Sequence, residues 1–231
     1  MTAEARTRAR KAKSEGDMRT ASPADETAAV ASGPRIYNLF PLLVGKVSAW
    51  SQELPRVAGM GFDWVYVNPF HESGFSGSLY AIRDVEALDP RFAEDGDQDS
   101  TIRAFVEEAG RHGLRVMTDL VVNHLSKDAP LATSRPEAFL RNIWGELESP
   151  FAVDPVDSSK RTVWGDLAEL DWHGEAGRDF LLGYFDAYIA RMQGLGVAGF
   201  RCDAAYKVPP QVWRELIGRA KARDAACLFA A

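Results

Sequence analysis

The feature that most constrains this chain is alternation. From residue 35 onward, short β-branched and aromatic runs take turns with amphipathic helical stretches. Residues 35–40 form the first such run, stopped by Pro41. Residues 51–59 read as a short helix, in which Pro55 is tolerable only near the first turn. A second strand, 64–67, ends at Asn68-Pro69. Residues 98–112 read as a helix capped by Asp97, with Ile102, Phe105, Val106 and Ala109 on one face and Gly113 beyond its end. Strand 114–122, helix 178–193, strand 197–203, helix 209–223 and strand 227–231 complete the series.

Repeated β-α units demand a parallel sheet with right-handed crossovers, so the fold class is α/β. A doubly wound sheet and a (β/α)8 barrel both satisfy that rule. No glycine fingerprint follows the first strand, which weighs against dinucleotide binding. The 231 residues sit near the lower edge of a complete barrel, which takes roughly 200 to 250. Two stretches reduce what is left for it. Residues 1–33 hold six Lys/Arg, five Asp/Glu and no aromatic, and read as a disordered, solvated tail. Residues 123–174 are a long polar, proline-containing insertion after the third strand. The remainder of 34–231 builds about five strands and four helices, an incomplete TIM barrel. Its two outer strands would be open edges through which the chain could self-associate.

Composition excludes several function classes. The chain is 46% hydrophobic and 26% charged with a net charge of -6, so it is globular and offers no domain-scale basic surface to nucleic acid. No apolar run reaches the length of a secretory core or a membrane span, and a cytoplasmic location without membrane contact is expected. Cys202 and Cys227 are too few for a disulfide framework. The four histidines show no metal-ligand spacing.

In either architecture, ligands meet the C-terminal ends of the strands. Asp119 interrupts an otherwise apolar strand, and Asn123 and His124 end it. Each alone is compatible with a hydrogen-bonded structural Asp or an ordinary loop start. In the fourth strand, alternation puts Arg201 and Asp203 on one side and Cys202 on the other. An Arg two residues before an Asp can hold it ionised, as a carboxylate nucleophile requires; a structural ion pair fits equally. Tyr80 could offer a flat face to a sugar ring or simply pack.

Together these pieces resemble the α-amylase family of retaining glycosidases and transglycosidases, glycoside hydrolase family 13. Asp119-Leu-Val-Val-Asn-His124 matches its D-x-x-x-N-H motif, and Gly199-Phe-Arg-Cys-Asp203 its G-F-R-x-D motif. Gly61-Phe-Asp-Trp-Val-Tyr-Val-Asn-Pro69, Tyr80 with Asp89-Pro-Arg-Phe92, and Trp164-Gly-Asp-Leu167 with Leu170-Asp-Trp172 are similar to three further segments, in the family's order. The resemblance implies an α-glucan or maltooligosaccharide substrate. It implies Asp203 as nucleophile, with Arg201 keeping it ionised and oriented. Asp119 would structure the base of the site, His124 would donate to a sugar hydroxyl, Tyr80 would stack under the ring, and Lys207 would lie on the acceptor side. Insertion 123–174 falls where the family carries its small B domain. No cofactor is expected. The one metal the resemblance could bring is calcium at Asn123, an ion several subfamilies lack.

The sequence also departs from that pattern. Ser78-Leu-Tyr80-Ala81 stands where the family often has H-G-Y-D. The family's acid/base Glu would be expected just after Ala231, and its later H-D motif is absent from the sequence. The expectation is therefore an enzyme by family that is truncated before its acid and inactive alone. The alternative is a non-catalytic glucan-binding half-barrel, or one completed by a partner.

Overall fold

Apolar strands without alternation are buried on both faces, as in a parallel sheet built from β-α units. The computed structural model describes residues 33–231. Its elements run β1 (Ile36–Leu39), α1 (Pro41–Val44), α2 (Val47–Gly59), β2 (Trp64–Val67), β3 (His71–Ser73), β4 (Ile82–Leu88), α3 (Gln98–Arg111) and β5 (Arg115–Leu120). They continue with β6 (His124–Ser126), α4 (Leu131–Ser134), β7 (Phe151–Val153), β8 (Arg161–Val163), β9 (Leu167–Glu169), α5 (Glu175–Gly194), β10 (Gly199–Cys202), α6 (Pro210–Arg223) and β11 (Leu228–Ala230). The fold is α/β. Five strands form one sheet in the order β1-β2-β5-β10-β11, every neighbouring pair parallel. They are the five expected strands, and α2, α3, α5 and α6 are the four expected helices. The tail expected over 1–33 lies outside the described residues save Gly33. Among the described residues no helix is long and apolar enough to cross a membrane.

Two expectations need correction. Helix α2 starts at Val47, so Pro55 stands well inside it rather than in its first turn. Val47, Trp50, Leu54 and Val57 keep a helical period across the proline, and their burial outweighs the lost backbone hydrogen bond. Trp50 is fully buried, with the rings of Phe70, Phe92 and Phe105 around it at 5.6 to 5.9 Å. The second concerns what lies between the main strands. An antiparallel β3–β4 hairpin follows Asn68-Pro69. Insertion 123–174 holds the pairs β6–β9 and β7–β8. Apart from the seven-residue β4, these strands have three residues, too few for a two-residue period to declare itself in sequence.

The central strand β5 is buried from Val116 through Leu120, Asp119 included. Beyond it the chain is tied back: Trp172 Nε1 donates to the Val122 carbonyl at 2.7 Å, and the Leu170 N–H to that of Asn123 at 2.9 Å. These bonds fix the segment carrying Asn123 and His124 over the sheet's C-terminal rim.

Candidate active site

Parallel pairing sets the first distances. Arg201 of β10 lies in register with Asp119 of β5. Its Nη1 donates to Asp119 Oδ1 at 2.8 Å and to Asp203 Oδ1 at 2.7 Å. Gly199 is required at the start of that strand: a Cβ there would lie 2.9 Å from the Leu228 carbonyl oxygen and 3.1 Å from Trp64. Sheet pairing reaches Asp203, whose N–H donates to the Leu120 carbonyl at 3.1 Å. Ala204 then turns the chain away in the left-handed region, φ 45°. An L-residue costs about 1 kcal/mol there, and the turn leaves the Asp203 side chain at the strand's tip.

A cavity of about 440 Å³ opens above these residues, within the range of small-molecule clefts. Tyr80, Asn123, His124, Arg201, Asp203 and Lys207 line it, together with Ser78, Trp164, Asp166 and Tyr206. Asp119 is buried below and reaches the cavity's lining through Arg201 and the Tyr80 phenol, which donates to Asp119 Oδ2 at 3.1 Å. Asn123 Nδ2 donates to His124 Nδ1 at 3.3 Å, which leaves the ring proton on Nε2. That Nε2 is buried without a partner among the described residues. Lys207 sends Nζ to the Phe151 carbonyl at 2.7 Å and over the Phe151 ring, fastening β7 beside the site.

Charge follows burial. Burial raises the Asp119 carboxyl above its ordinary value, against the pull of Tyr66 and Arg201. Burial pulls the Arg201 guanidinium down, but its bonds and charge contacts with Asp119 and Asp203 outweigh that and hold it above the ordinary value. Burial lowers the His124 imidazole, against Asp203, the Tyr80 carbonyl and Asp166.

Known proteins share this frame. The family described as glycogen debranching enzyme, glucanotransferase domain, matches residues 32–146. A probable α-glucosidase of Rhizobium meliloti is 33% identical over 74% of this chain and 35% of its own length. An α-1,4-glucan:maltose-1-phosphate maltosyltransferase of Myxococcus xanthus is 30% identical over 76% of this chain and 28% of its own. The crystal structure of an α-amylase from Lactobacillus plantarum matches with a TM-score of 0.70 and 26% identity, over 85% of this chain and 44% of that one. The chain belongs to the α-amylase family. It spans 16% to 35% of the length of the relatives it matches.

In this α-amylase-family chain, six of the seven residues singled out from sequence line one cavity, and Asp119 supports it from below. Three others went unread. Asp166 lines the cavity within the Trp164–Leu167 stretch. Tyr66 and Asn68 lie beneath it on β2 and just past its end, both bonded to the Tyr80 phenol. Alternation along 64–68 places them on one face, opposite Val65 and Val67, and that signal was available. Among the described residues, no three His, Cys, Asp or Glu side chains gather as metal ligands. Asn123 donates its amide N–H to His124, and no step below runs through calcium.

Proposed function

We propose that this cavity is the donor side of a retaining α-glucan-active site, of a hydrolase or a transglycosidase, with Asp203 as the nucleophile. The observation that carries the reading is one guanidinium nitrogen held between Asp203 and Asp119 at the end of two paired strands. A carboxylate attacks only as the anion. Arg201 against one oxygen favours the anion and leaves the other oxygen for the anomeric carbon. Asp119 holds Arg201 in place from below. Tyr80 presents a ring to the bound sugar, and the free Nε2–H of His124 donates to one of its hydroxyls. Lys207 keeps N–H donors for the acceptor side. The relatives named above, a probable α-glucosidase, an α-1,4-glucan:maltose-1-phosphate maltosyltransferase and an α-amylase, support a glycosidase or transglycosidase reading.

Retaining cleavage also needs an acid, a second carboxyl about 5–5.5 Å from the first. We assign it to no residue of this chain, and expect background turnover on maltooligosaccharides. An activated donor separates the two roles. With 5-fluoro-α-glucosyl fluoride, an Asp203 oxygen bonds to the anomeric carbon while the C–F bond breaks and fluoride leaves with its electron pair. No proton is required. Intact mass followed by peptide mapping should find one adduct, on Asp203, absent in Asp203→Asn. No adduct, or an adduct elsewhere, overturns the reading.

The five parallel strands are read as part of a (β/α)8 barrel, supported by a strand order that follows the chain. The outer sides of β1 and β11, unpaired among the described residues, favour a second reading: a glucan-binding half-barrel, self-associated or completed by a partner through those edges. Light scattering across a concentration series tests it; a monomer at every concentration counts against self-association.

A further inference from the structure

Below the cavity floor lies a hydrogen-bonded lattice that the site chemistry above does not use. Asn38 Nδ2 on β1 donates to Asn68 Oδ1 at 2.7 Å. Asn68 Nδ2 donates to both phenol oxygens, of Tyr66 and Tyr80, at 3.1 Å each. Both phenols donate to the same carboxylate oxygen, Asp119 Oδ2. These donors lead toward Asp119, from β1 through β2 to β5, while Asn38 Nδ2 also donates to the Tyr66 carbonyl at 3.3 Å. Hydrogen bonds aligned in this way polarise one another. Asp119 Oδ1 meanwhile accepts from Arg201, so the buried carboxylate is met by three donors on two oxygens. Neither Tyr66 nor Asn68 lines the cavity.

We infer that Tyr66 and Asn68 are positioning residues of this site, which fix Asp119 as the anion sharing Arg201 with Asp203 and clamp the Tyr80 ring in place. The inference rests on the reading of Asp203 as nucleophile. One guanidinium nitrogen serves two carboxylates, so the state of Asp119 decides how much of its charge falls on Asp203. With Asp119 anionic the charge is shared. With Asp119 protonated it falls on Asp203 alone and damps the attack.

The groups around Asp119 come from four directions: Tyr66 from β2, Tyr80 from beside β4, Arg201, Cys202 and Asp203 from β10 and its end, and Tyr188 from α5. Burial works to raise the Asp119 carboxyl, and Tyr66 is the first group that opposes it. Removing the Tyr66 hydroxyl therefore moves protonation of Asp119 further up in pH.

The test is the pH dependence of Asp203 labelling by 5-fluoro-α-glucosyl fluoride in the full chain, across pH 4–8, for wild type, Tyr66→Phe and Asn68→Ala. In Tyr66→Phe the acid limb should move to higher pH. Labelling at the acid end should fall at least about tenfold more than at neutral pH, the factor one hydrogen bond to a charged group supplies. The half-saturating donor concentration should change little, because Tyr66 does not line the cavity and the Tyr80 phenol keeps its bonds to Asn68 and Asp119. Asn68→Ala frees both phenols and should raise that concentration as well, through a loosened Tyr80. Thermal melts identify any variant that fails to fold, and Asn38→Ala, one bond further from Asp119, then gives a weaker shift of the same sign. A folded Tyr66→Phe whose acid limb coincides with wild type overturns the inference. Wild-type protein that is not labelled at all overturns instead the assignment of Asp203.

Discussion

Arg201 is the residue on which the site's charge balance turns. Asp119 has a fully buried side chain, and its one ion-pair partner among the described residues is Arg201. Removing that guanidinium in Arg201→Ala leaves a buried charge unpaired, which destabilises a protein by about 3–5 kcal/mol. Arg201→Lys keeps the charge but offers a compact ammonium in place of a planar fork. It should fold, with a melting temperature close to wild type, and label Asp203 at least about tenfold more slowly, since one hydrogen bond to a charged group is lost. Equal rates in a folded Arg201→Lys would remove geometry from Arg201's role and leave only charge. The neighbouring thiol gives a check on burial. Burial pushes Cys202 up to about 12, and Cys227 is also raised by it. Both should resist a thiol-disulfide reagent in the native state at pH 8 and react at once in denaturant. Fast native reaction would show that the β10–β11 side of the sheet opens. Asp119, Arg201 and Asp203 were legible in the sequence because a charge inside an apolar strand stands out against its pattern. Tyr66 was not. An aromatic residue in a strand reads as packing, and its hydroxyl gains meaning only from the Asp119 it meets 53 positions later.

At the scale of elements, α5 approaches the backbone of the 123–174 insertion most tightly at Gly177. A Cβ on Gly177 would lie 2.2 Å from the Glu137 carbonyl oxygen and 3.2 Å from that of Asp171. Backbone atoms cannot rotate away, so Gly177→Ala must separate the first turn of α5 from that backbone, at a cost of about 3 kcal/mol. Gly183 lies further along the same helix, exposed, with nothing within 4 Å of an added Cβ. Gly183→Ala should stabilise by about 0.5–1 kcal/mol through helix propensity alone. Urea unfolding of the two variants measures both, and a Gly177→Ala as stable as Gly183→Ala would mean that the contact yields freely. The long helices and central strands were legible because their periods run over enough residues to declare themselves. The start of α2 was misplaced because Pro55 argued locally for a boundary that Val47 and Trp50 override through burial. The β3–β4, β6–β9 and β7–β8 pairs are set by tertiary contacts rather than by pattern. One example is the β3–β4 hairpin's Gly74, where a Cβ would lie only 1.9 Å from Ser126 Oγ of β6.

Across the whole molecule, stability should depend on acid in two steps. His71 of β3 is buried and hydrogen-bonded through Nε2 to the Tyr188 hydroxyl of α5 at 2.8 Å, so it joins the β3–β4 hairpin to the helix. Burial, and then the charge of Arg191, pushes this imidazole down to about 3. In the unfolded chain it takes its proton near 6.5. Between those values the unfolded state binds the proton and the folded state refuses it. Stability therefore falls as pH drops below about 6.5, with a limiting slope of about 1.4 kcal/mol per pH unit. His124, also lowered by burial, adds to the same window with the same sign. Asp89 defines the second step. Burial works to raise it, but Arg91 and Ser73 outweigh that and hold it at about 2, against 3.8 in the unfolded chain. Its contribution is present above 3.8 and is lost as pH falls towards 2. Wild-type urea midpoints should thus decline from pH 7 to pH 5, before any carboxylate of ordinary acidity has titrated. In His71→Gln, whose amide can still meet the Tyr188 hydroxyl, most of that early decline should vanish while the step below pH 4 remains. An unchanged slope between pH 7 and pH 5 in the folded variant would place the early loss on His124 or elsewhere, and would remove His71 as the acid-sensitive joint between hairpin and helix.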